Sequence, residues 1–402
     1  MLSDSGEQAR GVVPGLVRPS SQIIEWRFKT YPLALIAVLV LATMFIIKTE
    51  DVQVGGDFPA FYGAGHMVWS GDMDALYEPD RQIEAQSDLP ISTEPGGLYF
   101  AYPPIVATLF APLGALPFID AYALYTLILV AATAFAVRIG WAKRPNVSGR
   151  TSLVLLLVLA FAPVFRAIIG SQTTTLYVLL FALLTRELER QDQSELSLAA
   201  LLTLSLFKPQ LGLPLIGLVV IHDVRRNWRP ATMAAAAFYL LNTLVAGFGW
   251  FGVWISALAD YNSLPGVQDS PLSISWVGAL TSAVDWPGAE ALGFGLAAVT
   301  VVILMLVWRP ETPVPVRDRM SLTMPGILLL SPHTVFYEAG LILFTLLNAR
   351  SGRRATLLVL FVVAAVSWVE PVGIRPLVHP NFWLILAAFV YALVTLVQRR
   401  RS

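Results

Sequence analysis

Long apolar runs separated by short polar segments repeat along almost the whole chain. Runs of about 20 residues are typical of helices that cross a bilayer. Several runs are shorter, and Pro209 and Pro332 stand between adjacent short runs, where a helix must break. The pattern predicts spans at about 31–48, 119–138, 151–168, 174–190, 196–207, 209–222, 231–247, 289–308, 321–332, 335–348, 354–369 and 381–398. We expect an all-α polytopic membrane bundle of about twelve spans, or ten if one short hairpin is re-entrant.

The composition agrees with a bilayer environment. Hydrophobic residues make up 56% of the 402 residues and charged residues 13%, whereas soluble domains carry about 25% charged residues. The first apolar run is too long for the hydrophobic region of a signal peptide, so we interpret it as a retained span. The absence of cysteine excludes disulfides and thiolate chemistry.

The basic residues predict the topology. With the N-terminus inside, 22 of the 27 Lys and Arg residues fall in cytoplasmic segments, as the positive-inside rule requires. Both termini are then cytoplasmic. The outer side receives only five cations, which are Lys48, Arg81, Arg166, Lys208 and Arg375. We expect a cytoplasmic tail at 1–30, one transmembrane domain at 31–398 and a short basic tail at 399–402.

The longest polar segment is the predicted outer loop at 49–118, which contains ten acidic residues and one arginine, Arg81. The aromatic-rich stretch after Gly55 and Gly56 suits an amphipathic helix lying in the membrane interface. A second short apolar helix follows between prolines. Together the two helices would form a small platform on the outer face. Asp57 begins it, and the type and position of this residue are equally compatible with an ordinary helix N-cap.

The motifs resemble those of glycosyltransferase family 87, a family of polyprenyl-phosphate-mannose-dependent α-mannosyltransferases and relatives with the multi-span GT-C fold. The resemblance runs from about residue 55 to 343. It rests on GGDFPAFYGAG, LYEP, YFAYPPIVATLFAPLGALP, LFKPQLGLPL and LSPHTVFYEAGLIL, in that order.

The resemblance implies sugar transfer from a polyprenyl-phosphate donor to a glycolipid or glycan acceptor at the non-cytoplasmic face. Asp57 matches the acidic residue of the first outer loop and would act as general base in an inverting reaction. The donor phosphate would be bound by Lys208, His333 and Arg166. Sugar and acceptor would contact Tyr62, His66, Tyr102, Gln172, Gln210 and Glu338.

Several of these residues have ordinary structural explanations. His333 is equally compatible with a turn after Pro332, and His66 is compatible with a helix-face position. Glu338 lies in a short apolar run, where an acidic residue is more often functional than decorative. Many GT-C enzymes have a pair of acidic residues at this point, whereas Asp57 is followed by Phe58. The missing second acid weakens the case for a bound metal and favours a single general base.

Two other functions compete with glycosyl transfer. A lipid or sugar transporter would show pseudo-symmetric halves and polar residues at mid-depth, and the sequence shows neither. A catalytically silent scaffold is the third hypothesis.

The sequence has no Walker loop and no HExxH motif. It also has no cytoplasmic domain for a nucleotide sugar. We therefore expect a cofactor-free enzyme in a bacterial inner membrane that contacts membrane lipids, binds no nucleic acid and has its active site on the periplasmic side.

Overall fold

The computed structural model describes residues 56–89, 98–144, 147–261, 273–284, 286–331, 334–349, 353–368 and 379–401. The predicted tail at 1–30, the predicted span at 31–48 and His333 lie outside these residues. The described part contains seventeen α-helices, two 3₁₀ helices and one isolated antiparallel bridge between Ser273 and Val335. The predicted all-α class is confirmed.

The segment predicted to form the outer loop contains a compact group of short helices. These are α1 (Phe58–Trp69), a 3₁₀ helix (Met73–Ala75), α2 (Pro79–Glu84) and α3 (Pro104–Gly114). Pro59, Pro79 and Pro104 lie in the first turns, where proline is tolerated because its missing N–H would have no intrahelical partner. Helices α1 and α3 touch backbone to backbone, because a Cβ on Gly114 would lie 2.4 Å from the His66 nitrogen.

Helix α1 is buried along most of its length, from Phe58 to Gly65 and at Met67. An interfacial helix is expected to keep one face in water or headgroups. Only His66 and Trp69 are strongly exposed on this helix. The helix therefore packs into the bundle more fully than its sequence pattern predicts.

The middle of the chain supplies one long helix, two bent pairs and three shorter helices. Its helices are α4 (Phe118–Trp141), α5 (Thr151–Ala160), α6 (Ala162–Ile169), α7 (Thr174–Leu188), α8 (Glu195–Ser205), α9 (Pro209–His222), α10 (Val224–Ala246) and α11 (Trp250–Tyr261). Helices α5 and α6 meet at 72°, and α10 and α11 at 90°. Ser194 and Asp223 accept backbone N–H bonds at the starts of α8 and α10, so two tight connections have ordinary N-caps.

The C-terminal part packs around α14. Its helices are α12 (Trp276–Ala283), α13 (Ala289–Trp308), α14 (Val316–Leu330), a 3₁₀ helix (Phe336–Ile342), α15 (Leu343–Asn348), α16 (Arg353–Val366) and α17 (Pro380–Arg401). Arg319 of α14 is buried and donates to the carbonyls of Trp308, Thr312 and Val314. This cation satisfies the last carbonyl of α13, which helix geometry leaves without an intrahelical partner, and two carbonyls of the connection that follows.

Helix positions agree closely with the predicted runs, but the span count does not follow from them. In the described part, α4, α13 and α17 are long and apolar enough to cross a bilayer, and counting each bent pair as one span raises the number to five. Many other helices have 6 to 15 residues, which is short of the roughly 20 that a perpendicular crossing needs. The structure thus supports three to five candidate spans, and the predicted twelve are not established.

Candidate functional site

The backbone next to Asp57 is tied to the end of α6. The Asp57 N–H donates to the Gly170 carbonyl at 3.0 Å. Gly56 has φ +82°, and a Cβ there would lie 2.4 Å from the Gly170 Cα. A left-handed φ and a backbone this close both require glycine. The pair Gly56 and Gly170 therefore fixes where the Asp57 carboxylate begins.

The Asp57 carboxylate does not cap α1. Asp57 occupies the N-cap position, yet its side chain makes no cap hydrogen bond. It accepts instead from the Tyr337 hydroxyl, with 3.4 Å between Oη and Oδ2, and from the side chain of Gln172. The N-cap alternative left open by the sequence is therefore not what the structure shows.

The surroundings of Asp57 have opposing effects on the pKa of its carboxyl group. Asp57 lies outside the candidate spans, and burial raises the pKa of its carboxyl above 3.8. The Gln172 and Tyr337 hydrogen bonds and the Lys208 charge oppose that increase by favouring the carboxylate. Burial has the largest effect, so the carboxyl is a stronger proton acceptor than an exposed aspartate.

Lys208 is held at the break between α8 and α9. Pro209 begins α9 directly after it, and a Cβ on Gly212 would lie 2.2 Å from the Ser205 carbonyl oxygen, so the turn is very tight. The Lys208 ammonium pairs with Oε1 of Glu338, and both side chains are almost fully buried, at 3% and 2% exposed. A charge this buried needs such a partner.

The 3₁₀ helix at 336–342 carries two neighbouring residues that contact the Asp57 carboxylate and the Lys208 ammonium. Glu338 pairs with Lys208, while the adjacent Tyr337 donates to Asp57. The Lys208 nitrogen also lies 6.0 Å from the centre of the Tyr337 ring, within the range of a cation–π contact. Two neighbouring residues thus orient the carboxylate and the ammonium of the site.

A polar turn forms another side of the site. Residues 171–175 read SQTTT and run from the end of α6 into the first turn of α7. All five are buried. Among the described atoms, Ser171 Oγ, Gln172 Oε1, Thr174 Oγ1 and Thr175 Oγ1 have no hydrogen-bond partner. Such a cluster of unpaired polar atoms is unusual in a folded interior.

Tyrosines close the remaining side. Tyr102 interacts electrostatically with Lys208, Asp57 and Glu338. Tyr125 packs its ring against Phe58, with centroids 5.9 Å apart. The Tyr125 hydroxyl is buried and has no partner within the described part of the chain.

The structure brings together four of the residues singled out from the sequence in addition to Asp57, namely Tyr102, Gln172, Lys208 and Glu338. Four others lie elsewhere. Tyr62 donates to the Leu116 carbonyl at 2.9 Å, and the exposed His66 contacts the Gly114 carbonyl through Nδ1 at 3.0 Å. Gln210 is exposed in the first turn of α9. Arg166 is the fourth.

Arg166 belongs to a cluster next to the residues around Asp57. Its guanidinium lies 5.2 Å from the Phe336 ring centre, and that ring stacks on His379 at 5.5 Å. Burial and the Arg166 charge lower the pKa of His379 to about 4, so this histidine is neutral at pH 7. Phe336 directly precedes Tyr337, so the two clusters adjoin.

Sequence reasoning missed Tyr337, Tyr125 and the threonines at 173–175. Tyr337 stands beside Glu338 in a motif already noted, so its position was a usable signal. The SQTTT run was another signal, because five consecutive polar residues are rare where apolar runs dominate. Across the described residues, no group of three or more His, Asp or Glu side chains is arranged to hold a metal ion.

The long apolar helices are those of an integral membrane protein, and the buried pair of charges belongs to a polar cluster inside its bundle. The model of glycosyltransferase family 87 matches residues 100–332, more than half of the chain. The chain belongs to this family of membrane glycosyltransferases. The match includes Tyr102, Gln172 and Lys208, while Asp57 and Glu338 lie beyond its ends. No curated protein and no solved structure matches the chain.

Proposed function

We propose that this protein transfers a sugar, mannose being the leading candidate, from a polyprenyl-phosphate donor to a hydroxyl of a glycolipid or glycan at the non-cytoplasmic face. Family membership supports glycosyl transfer. The observation that supports the proposal is that one buried site holds both the Asp57 carboxylate and the Lys208 ammonium, which is itself paired with Glu338. The carboxylate can take the proton of the acceptor hydroxyl, and the ammonium can stabilise the negative charge of the departing phosphate.

The reaction needs a base for the acceptor and a cation for the leaving group. The acceptor oxygen attacks the anomeric carbon, and its proton passes to Asp57. The bond between that carbon and the phosphate oxygen breaks, and its electron pair leaves with the phosphate. Lys208 stabilises the phosphate that departs. Attack from the face opposite the leaving group inverts the anomeric configuration.

The side chains around Asp57 also suit a sugar. Gln172 and Tyr102 lie beside Asp57 and offer hydrogen bonds at the place where the acceptor would approach. Arg166 lies in the adjoining cluster, where it would contact the lipid headgroup region rather than the reacting phosphate. His333 remains a proposed phosphate ligand because in the sequence it shortly precedes the 336–342 segment, which carries Tyr337 and Glu338.

The test compares Asp57→Asn with Asp74→Asn in purified protein. Asp74 is an exposed acid of the same outer segment. With polyprenyl-phosphate mannose and a lipid extract, transfer is read by mass spectrometry as added hexose. Loss of the base should lower kcat by about 10²–10⁴-fold, while Asp74→Asn should behave like the unmodified protein. Full transfer by Asp57→Asn contradicts the assignment.

A further inference from the structure

Buried oxygens without described partners occur in the Lys208–Glu338 pair and in the polar segment beside Asp57. Glu338 Oε1 contacts Lys208, whereas Glu338 Oε2 has no hydrogen-bond partner among the described residues, although the side chain is 2% exposed. Leaving a buried polar atom unpaired costs about 1–3 kcal/mol, and more for a charged group. A site that leaves several such atoms unpaired is built to receive hydrogen bonds from a ligand.

The chemistry of these atoms restricts the ligand. The Gln172 amide nitrogen must face Asp57, because a carboxylate accepts and does not donate. Gln172 Oε1 therefore points away from Asp57, and it has no described partner. Gln172 Oε1 and Glu338 Oε2 both accept only, so each needs a donor. A phosphate anion supplies none, whereas sugar hydroxyls do.

Glu338 is positioned to accept a hydrogen bond from one particular hydroxyl of the donor sugar. If Lys208 binds the donor phosphate, as the proposed function holds, the phosphate is attached to the anomeric carbon next to the Glu338 carboxylate. The nearest hydroxyl on the sugar is then on the adjacent carbon. Resting on that function, we propose that Glu338 accepts a hydrogen bond from the C2 hydroxyl of the transferred sugar.

Such a bond would contribute to rate as well as to binding. Hydrogen bonds to the 2-hydroxyl strengthen as positive charge develops on the sugar ring. Glu338 is held by Lys208 and by its place in the 3₁₀ helix. Its carboxylate is therefore oriented before the polyprenyl-phosphate sugar binds. Glu338 thus selects donors with a free C2 hydroxyl over 2-deoxy sugars.

The test measures kcat/KM with polyprenyl-phosphate mannose and with its 2-deoxy analogue, in detergent, with one lipid extract. A hydrogen bond to a charged acceptor predicts that the unmodified protein prefers the first donor by about 10- to 100-fold. Equal rates with the two donors overturn the inference and leave the proposed function intact. Absence of transfer from either donor overturns the proposed function and this inference with it.

Variants assign the preference to Glu338. The donor ratio should fall about five- to tenfold in Glu338→Gln, whose neutral acceptor is weaker, and approach one in Glu338→Ala. Glu78→Gln makes the same chemical change at an exposed acid and should keep the original ratio. Each ratio is internal to one protein, so a loss of active molecules does not alter it. An unchanged ratio in Glu338→Gln overturns the inference, even if Glu338→Ala fails to fold.

Discussion

The contact between Gly56 and Gly170 gives a sharp prediction about how Asp57 is positioned. A methyl group at residue 56 would lie 2.4 Å from the Gly170 Cα and 2.5 Å from its carbonyl oxygen. Both obstructing atoms are backbone, so no side-chain rotation relieves the overlap. Ordinary contact begins at 3.4 Å, so in Gly56→Ala the two segments must separate by about 1 Å, and a misplacement of that size costs about 10²-fold in rate.

Gly71 provides a matched control. Its φ is +90°, similar to that of Gly56, but nothing lies within 4 Å of a Cβ built there. Both alanine variants therefore bear a left-handed backbone penalty of about 1–2 kcal/mol. Only Gly56→Ala also forces apart the Asp57 N–H and the Gly170 carbonyl, which are 3.0 Å apart.

The assay combines thermal unfolding in detergent with initial rates of sugar transfer. Both variants should unfold at lower temperature, because both bear the backbone penalty. Gly56→Ala alone should lose about 100-fold in kcat/KM. If Gly56→Ala retains rates within about threefold of the original, or if Gly71→Ala loses as much activity, then the contact between Gly56 and Gly170 does not position Asp57 for the reaction.

Two further predictions concern the partners of the base and the phosphate. Activity should fall as the pH drops through the Asp57 pKa, because the base must be ionised. Tyr337→Phe removes a hydrogen bond that lowers this pKa, so the acidic limb of kcat/KM should move to higher pH; an unmoved limb contradicts that role. Lys208→Met should weaken binding of polyprenyl phosphate by about 10- to 100-fold in equilibrium titrations, and unchanged binding would exclude Lys208 as the phosphate ligand.

Local features of the fold followed from the sequence because they depend on neighbouring residues. The predicted run at 209–222 coincides with Pro209–His222, since proline fixes the start. The predicted run at 119–138 lies within Phe118–Trp141. Bilayer crossing was harder to predict, because a buried short helix and a spanning helix have similar apolar composition.

The site was only partly predictable, because its contacts join distant parts of the chain. Lys208 and Glu338 were each singled out, but their pairing depends on how the 3₁₀ helix packs. Tyr62 and His66 follow Asp57 on the same helix, and helical periodicity turns them toward Leu116 and Gly114 instead. Nearness in sequence was therefore a poor guide to membership of the site.

The Lys208–Glu338 pair also constrains how the protein is made. Lys208 precedes its counter-charge by about 130 residues, which at roughly 5–20 residues per second is an interval of about 6 to 26 seconds on the ribosome. An ammonium in hydrocarbon is costly without a partner. During that interval we expect the turn between α8 and α9 to stay at the aqueous edge of the insertion machinery, and we expect the bundle to close around Lys208 only after the C-terminal segment has emerged.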